Sequence, residues 1–315
     1  MPSVRFETGI LRIALIETAQ VLSGLVLAAL LLATPGCLVR KVTHVHAPGQ
    51  VTPAREASLA ELVAKINAWS DAIHTLTATV DLAPTAGSVY SGVIKEYRDV
   101  KGFVLLQKPS TIRMQGQAPV VRTSVFDMAS NGEEFRLYIP SKQKFIIGKT
   151  TVQHPVKNAL ENLRPQHILQ ALIVPPIDAD HETTYREKLA RRSEPTKRYF
   201  VVSIIEPQTD RHVILRRKAW FDRADLELVR SQFYEPDGTC TEDVQYSNYQ
   251  DFQGIRYPTH IELNRPEDDY QVTITIEKAT FNEPIPPEKF DLEKPEGTEL
   301  VNLSAPKPEE HPLDQ

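Results

Sequence analysis

Short runs of alternating apolar and polar residues, separated by turn signals, dominate this chain and most constrain its fold. In residues 76–82 every second residue is apolar, which is typical of a strand with one buried face. Asn131-Gly132 lies between two such runs, residues 124–129 and 134–139, and is a strong hairpin signal. The other strands predicted on these grounds are residues 89–100, 103–107, 112–117, 145–147, 199–205, 212–221, 226–234, 241–249, 260–263 and 270–281. Consecutive strands with short turns predict a mainly β (α+β) domain built on an antiparallel sheet.

Two segments have helical spacing instead. Ser58 followed by Glu61 forms a capping-box pattern, and a stripe of apolar residues spaced three and four apart follows it as far as Ile73. Residues 156–163 and 165–174 interrupt the strands, and Pro165 suits the first turn of a helix. We therefore predict an N-terminal helix packed on the sheet, and a helical insertion that lies across its concave face.

The N-terminus has the pattern of a secretory signal. Residues 21–33 contain no charged residue, a length that suits the apolar core of a signal peptide and is short for a membrane span. Arg5 and Arg12 supply a positive flank, and Cys37 follows Gly36 just beyond the apolar run. The segment resembles a bacterial lipoprotein signal, which implies that residues 1–37 end at a lipidated Cys37 and that lipid anchors the chain. The alternative is a tilted membrane helix over residues 10–32.

The rest of the chain divides into a tether, one domain and a tail. Residues 38–56 lack periodicity and are expected to be a flexible tether, and residues 304–315 are rich in Pro and Glu and are expected to be disordered. Between them, residues 57–303 contain no break long enough for an interdomain linker. The net charge of −5, with both signs interspersed, gives no sign of a nucleic-acid partner.

No compact catalytic or metal-binding motif is found in the sequence. The isolated candidates are His44, His46, His167, His181, His212, His260, the acidic run Glu267-Asp268-Asp269, and Cys240. None of them has the spacing of a nucleophile elbow or a zinc-binding helix, so we expect no enzyme activity, no metal and no cofactor.

Several blocks of the domain resemble the periplasmic lipoprotein-carrier superfamily with the LolA/LolB-like fold. The blocks are residues 107–119, residues 130–148 with Gly132, Phe135, Tyr138 and Pro140, and residues 290–303 with Phe290, Pro295 and Gly297. The resemblance implies a strongly curved, incomplete β-barrel whose open face is covered by helices. It also implies a protein that holds lipid or lipoprotein acyl chains in an apolar cavity, for outer-membrane lipoprotein sorting or lipid transport. The alternative is a non-catalytic envelope adaptor or sensor that binds protein with the same sheet.

This resemblance gives specific site predictions. The expected lipid-binding side chains are Leu62, Ile66, Trp69, Phe126, Phe135, Ile168, Leu169 and Leu172. Arg113 either holds the helical lid by bonding to helix carbonyls or is an ordinary surface arginine. The sequence contains no convincing protruding apolar loop; residues 173–177 are the best candidate, and the alternative is that they connect a helix to a strand. Leu38, in place of an aspartate after the cysteine, favours the outer over the inner membrane.

Overall fold

Fourteen strands form one continuous, curved sheet that does not close into a barrel. The structure is a computed structural model that describes residues 53–87, 95–96, 99–150, 164–191, 194–209 and 212–304. The strands are β1 (Thr75–Ala86), β2 (Lys95–Glu96), β3 (Val100–Gln107), β4 (Thr111–Gln117), β5 (Ser124–Ser130), β6 (Glu134–Ile139), β7 (Lys144–Lys149), β8 (Thr183–Arg191), β9 (Glu194–Pro207), β10 (Val213–Asp222), β11 (Leu228–Tyr234), β12 (Cys240–Phe252), β13 (Ile255–Arg265), β14 (Tyr270–Phe281) and β15 (Glu299–Asn302). The short β2 pairs only with β1, beside this path.

The sheet consists of two meanders joined at its centre. The order along the path is β15-β7-β6-β5-β4-β3-β1-β14-β13-β12-β11-β10-β9-β8. We call β1 and β3–β7 the N-half and β8–β14 the C-half; they meet where β1 pairs with β14. Because β7 and β8 lie toward opposite edges, the segment between them must pass from one side of the sheet to the other. The predicted fold class is confirmed.

One strand pair departs from the antiparallel prediction, and one strand was missed. β15 pairs with β7 in parallel, because the chain returns from the C-half and runs along the edge of the N-half. Within residues 290–303, which were compared with a closing strand, only Glu299–Asn302 is extended into the sheet. β8 was not predicted because it is an edge strand with no regularly buried apolar positions, so its sequence lacks the alternation that marks a strand.

Two α-helices cover one face of the sheet. α1 (Leu59–Asp71) begins with the predicted capping box, in which the Glu61 amide donates to Ser58 Oγ and the Ser58 amide donates to the Glu61 carboxylate. α2 (Pro165–Leu172) has Pro165 in its first turn, as predicted. Residues 156–163, the other predicted part of the insertion, lie outside the described residues.

The helices and the sheet share one hydrophobic core. We call the helix-covered face of the sheet the inner face and the opposite one the outer face. In β4, Ile112 and Met114 are buried on the inner face, whereas Arg113 between them lies on the outer face. α2 contacts β4 and β5 of the N-half as well as β13 of the C-half, and α1 contacts β8 and β9. The insertion therefore crosses the face of the sheet, as predicted.

Candidate functional site

The structure brings together the eight side chains predicted to bind lipid. Leu62 and Ile66 of α1, Ile168 and Leu172 of α2, and Phe135 of β6 belong to the buried core between helices and sheet. The remaining three are partly buried and pack against the same core; they are Trp69, Phe126 and Leu169. Their role in binding lipid stays a prediction.

These side chains fill the inner face rather than line an open cavity. Leu62, Ile168 and Leu172 each expose 0% of their surface, so none of them faces a space large enough for water. The Phe126 ring packs so closely over Gly116 that a Cβ there would lie 2.3 Å from a ring carbon. A lipid chain can reach this layer only if a helix moves or its side chains rearrange.

Hydrogen bonds from both halves hold α2 on the inner face. The Tyr257 hydroxyl of β13 donates to the Leu172 carbonyl at 2.5 Å. His167 Nδ1 lies 2.6 Å from the Tyr270 hydroxyl of β14, and the two rings stack. Gln166 donates to the Ser130 hydroxyl of β5 at 3.0 Å. Burial, with the nearby cations Arg265 and Arg164, lowers the pKa of His167 well below its ordinary value, so the ring is neutral at neutral pH.

Hydrogen bonds from other segments hold α1 near both of its ends. Lys108 donates to the carbonyl oxygen of Ser70 and, at 3.0 Å, to its hydroxyl. Asn282 donates to the Ala72 carbonyl at 2.9 Å, and Asn67 accepts the Ile177 amide at 2.8 Å. Just before the helix, Arg186 of β8 donates to the Ala57 carbonyl oxygen, so that bonds hold α1 on both sides.

A buried network that joins a carboxyl group to a guanidinium group lies on the inner face of the C-half. Glu242 of β12 is 0% exposed, and its Oε2 lies 3.3 Å from an Arg265 nitrogen of β13. Arg265 also pairs with Asp268 at 2.8 Å. Burial raises the pKa of Glu242 to about 8, although Arg265 opposes the shift. Asp268, from the acidic run singled out in the sequence, is therefore a partner of a buried arginine.

A second buried arginine fixes the chain after α2. Arg217 of β10 is 4% exposed and donates to the carbonyl oxygens of Pro175 and Pro176, at 3.0 Å in the case of Pro176. It also lies 3.8 Å from Glu182. Both arginine networks were missed at the sequence level because they depend on strand pairing between distant segments.

Four buried polar atoms have no hydrogen-bond partner within the described part of the chain. They are Trp69 Nε1, Ser231 Oγ, Glu242 Oε1 and the Tyr246 hydroxyl oxygen. Ser231, Glu242 and Tyr246 share the inner face of β11 and β12, and the Trp69 ring of α1 is in edge-to-face contact with the Tyr246 ring at 6.1 Å. An unpaired buried polar group costs about 1–3 kcal/mol, so four of them on one interface are unusual for a permanently closed core.

Arg113 lies on the face opposite the helices. It pairs with Asp127 through two bonds of 3.1 and 2.8 Å, and it donates to the carbonyl oxygens of Lys289 and Asp291 at 3.0 and 2.7 Å. Those carbonyls belong to residues 284–292, which we call the C-terminal strap. Its contacts are therefore with the strap and not with α1 or α2, because strand alternation turns its side chain outward. Between the strap and β3–β4 is an outer groove of about 500 Å³ lined by Phe103, Arg113 and Ile285 among others.

Residues 173–177 do not protrude and form the connection from α2 toward β8. Ile173, Val174 and Ile177 are 5%, 0% and 7% exposed and belong to the core. The most exposed large apolar side chains among the described residues are instead Val120 and Val121, at 92% and 69%, in the β4–β5 loop.

Of the remaining cysteine and histidine residues singled out in the sequence, some lie in the described part of the chain and others do not. Cys240 begins β12, and burial raises the pKa of its thiol, which disfavours the reactive thiolate. Cys37, His44 and His46 lie outside the described residues. No group of three or more metal-ligating side chains is found in the part of the chain that the structure describes. Neither helix of that part has the length and apolarity needed to cross a bilayer.

A family model described as an uncharacterized protein matches residues 177–294, which include every strand of the C-half. No curated protein matches the chain.

Three solved structures are similar over 73% of this chain. A DUF1329 family protein from Desulfovibrio piger is 12% identical, with 94% of its own length covered and a TM-score of 0.48. A LolA superfamily protein from Nitrosomonas europaea is 13% identical, with 97% covered and a TM-score of 0.44. A domain from Vibrio parahaemolyticus, named as an outer membrane lipoprotein-sorting protein, is 11% identical, with 95% covered and a TM-score of 0.45.

One of these three structures is described as a LolA superfamily protein, which is the superfamily that the sequence blocks resemble. Identities of 11–13% and TM-scores below 0.5 give no evidence on ligand or activity.

Proposed function

We propose that this protein is a lipid-anchored protein of the bacterial envelope, facing the periplasm. It binds acyl chains of lipids or lipoproteins between its inner face and its two helices. It serves outer-membrane lipoprotein sorting or lipid transport. Acylated Cys37 anchors it to the outer membrane, since Leu38 stands in place of the aspartate that favours the inner membrane. The observation that carries this proposal is the apolar inner face, which extends over both halves under the cover of two short helices.

The cover is small enough to be exchanged for a ligand. α1 has thirteen residues and α2 has eight, so they extend about 20 Å and 12 Å at 1.5 Å per residue. An acyl chain that replaces Ile168 or Leu172 on the sheet exchanges one apolar contact for another. The free-energy cost of moving the helix is then mainly the loss of a few hydrogen bonds, each of which contributes about 1 kcal/mol to stability.

The β4–β5 loop supports contact with a lipid surface. Val120 and Val121 present apolar side chains to solvent in the loop between β4 and β5. Burial of these side chains in a membrane interface would be favourable. A carrier needs such a contact to receive or deliver a chain without exposing it to water.

Lysine substitutions on the two faces test the proposal. Leu169 lies on α2 and packs against the core, whereas Phe103 is 40% exposed and lines the outer groove. We expect L169K to weaken binding of a fluorescent acyl-chain phospholipid about ten-fold and F103K to leave it unchanged, because only the first places a charge where the chain lies. A protein that binds no acyl lipid, or that loses binding only with F103K, would contradict the proposal.

The filled inner face favours a second candidate, an envelope adaptor or sensor. Leu62, Ile168 and Leu172 leave no open space beside them, as expected of a sheet used as a rigid protein-binding surface. Native mass spectrometry of the purified protein separates the two candidates. Co-purified phospholipid supports the carrier, and a consistently empty protein supports the adaptor.

A further inference from the structure

The four unpartnered polar atoms form a pattern on the sheet. Ser231 of β11 pairs directly with Val244 of β12, so the two side chains share the inner face. Glu242 and Tyr246 lie two residues to either side of Val244 on that face. They are diagonal neighbours of Ser231, at roughly 7–8 Å in an antiparallel sheet. Trp69 reaches the same group from α1 through its contact with the Tyr246 ring.

The group is buried and faces the helix-covered core. Ser231 and Glu242 expose 0% and Tyr246 exposes 3% of their surface. The Tyr246 hydroxyl is near enough to Glu242 and Arg217 for their charges to affect it. The site is therefore a polar island within the apolar inner face, beside the place proposed for the acyl chains.

The chemistry of the island favours a neutral hydrogen-bond acceptor. The Trp69 N–H can only donate, and the Ser231 and Tyr246 hydroxyls can donate as well. Because burial raises the pKa of Glu242 to about 8, its carboxyl group is protonated at neutral pH and can donate through Oε1, the oxygen that does not contact Arg265. The nearby cations are already engaged: Arg217 by two carbonyl oxygens and Glu182, and Arg265 by Glu242 and Asp268. The groups of the site that can still form hydrogen bonds are therefore neutral donors, and no unpaired positive charge lies among them. This arrangement disfavours binding of a phosphate and favours binding of a carbonyl oxygen.

We propose that Trp69, Ser231, Glu242 and Tyr246 form a subsite for the ester carbonyl groups that join fatty-acyl chains to glycerol. This inference rests on the proposed function and adds the class of ligand: an acyl glycerol ester, from a phospholipid or from the diacylglyceryl group of a lipoprotein. When α1 moves and the ligand enters, its carbonyl oxygens accept the hydrogen bonds that the closed protein leaves unmade.

The test compares ester with ether lipids. Purified full-length protein is titrated with dihexanoyl phosphatidylglycerol and with its dihexyl ether analogue, which has the same head group and no carbonyl oxygens. We expect the wild type to bind the ester about ten-fold more tightly, since two or three new hydrogen bonds are made only by the ester. A diacylglyceryl-cysteine peptide titrated in parallel identifies the source, because it carries the same esters on a lipoprotein scaffold.

Matched variants assign the preference to the subsite. In S231A/Y246F the ratio of ester to ether affinity is expected to fall to about two or less, with thermal stability equal to or above that of the wild type because the removed hydroxyls have no partners. The control Y185F/S247A makes the same chemical changes at exposed positions and should keep the ratio.

The titrations distinguish failure of the subsite from failure of the proposed function. A wild type that binds ester and ether equally, or an S231A/Y246F variant that keeps the preference, overturns the subsite and leaves the proposed function standing. A wild type that binds neither lipid nor lipopeptide overturns both.

Discussion

At the scale of single residues, the buried carboxyl of Glu242 makes the stability of the fold depend on pH. Burial raises its pKa from an ordinary value of 4.5 to about 8. The folded protein therefore keeps this proton up to a higher pH than the unfolded chain does. The free energy of unfolding must fall as the pH rises through this interval, because ionising the buried group costs free energy that the unfolded chain does not pay.

Glu242→Gln should remove this dependence. Because the amide cannot ionise, we expect the variant to gain roughly 1–3 kcal/mol relative to wild type on going from about pH 5.5 to about pH 9, as measured by urea unfolding. The neutral His167 affects both proteins equally and cancels in the difference. Glu187→Gln, at an exposed position of β8, is the control and should follow the wild type. Parallel curves for wild type and E242Q would show that Glu242 is already ionised in the fold.

The sequence alone could not identify these residues. Glu242 and Arg265 are separated by β12, a turn and most of β13, and they meet only because of the register of that strand pair. The unpaired hydroxyls of Ser231 and Tyr246 look like ordinary strand residues until the helix covering them is known. By contrast, the Ser58–Glu61 capping box was predicted, because both partners lie within one turn of helix.

At the scale of elements, the C-terminal strap depends on Arg113. Its guanidinium bonds to Asp127 on β5 and to the strap carbonyls at once, and the strap leads directly into β15 at the edge of the N-half. One side chain therefore links two strands of the sheet to the segment that covers β7.

Arg113→Ala should release the strap. We expect a loss of about 1–3 kcal/mol in the free energy of unfolding, since charge-assisted bonds are removed and, among the described residues, Gln115 is the side-chain partner that Asp127 retains. Hydrogen exchange should accelerate in residues 284–303 more than in α1. Arg136→Ala, which removes a single bond of 3.2 Å to Leu292, is the control and should have a smaller effect. Unchanged exchange in the strap of R113A would contradict this account of Arg113.

The elements differ in how well the sequence predicts them. α1 and the central strands were predicted because their apolar residues follow the helical or the strand period. β8 and the first residues of β9 were not, since an edge strand is held by backbone hydrogen bonds to one neighbour and needs no buried side chains. The role of Arg113 was also beyond the sequence, because the strap comes from more than 170 positions later in the chain.

At the scale of the whole molecule, the sheet remains open and the two halves meet at its centre. The pairing of β1 with β14 joins segments about 200 residues apart, which no local pattern reveals. The short turns predicted the antiparallel meanders but not the order of the halves. Whether the inner face is filled or hollow depends on how distant side chains interdigitate, and here the helices fill it in the described residues.

The central claim is that acyl chains lie between the inner face and the helices. Photo-crosslinking tests it most directly, with a phosphatidylglycerol that carries a diazirine in its acyl chain. After irradiation and digestion, we expect adducts on α1, on α2 and on inner-face residues such as Met114 and Ile261, both of which are buried in the core. Adducts confined to the outer groove around Phe103 and Ile285, or no adducts at all, would contradict the account.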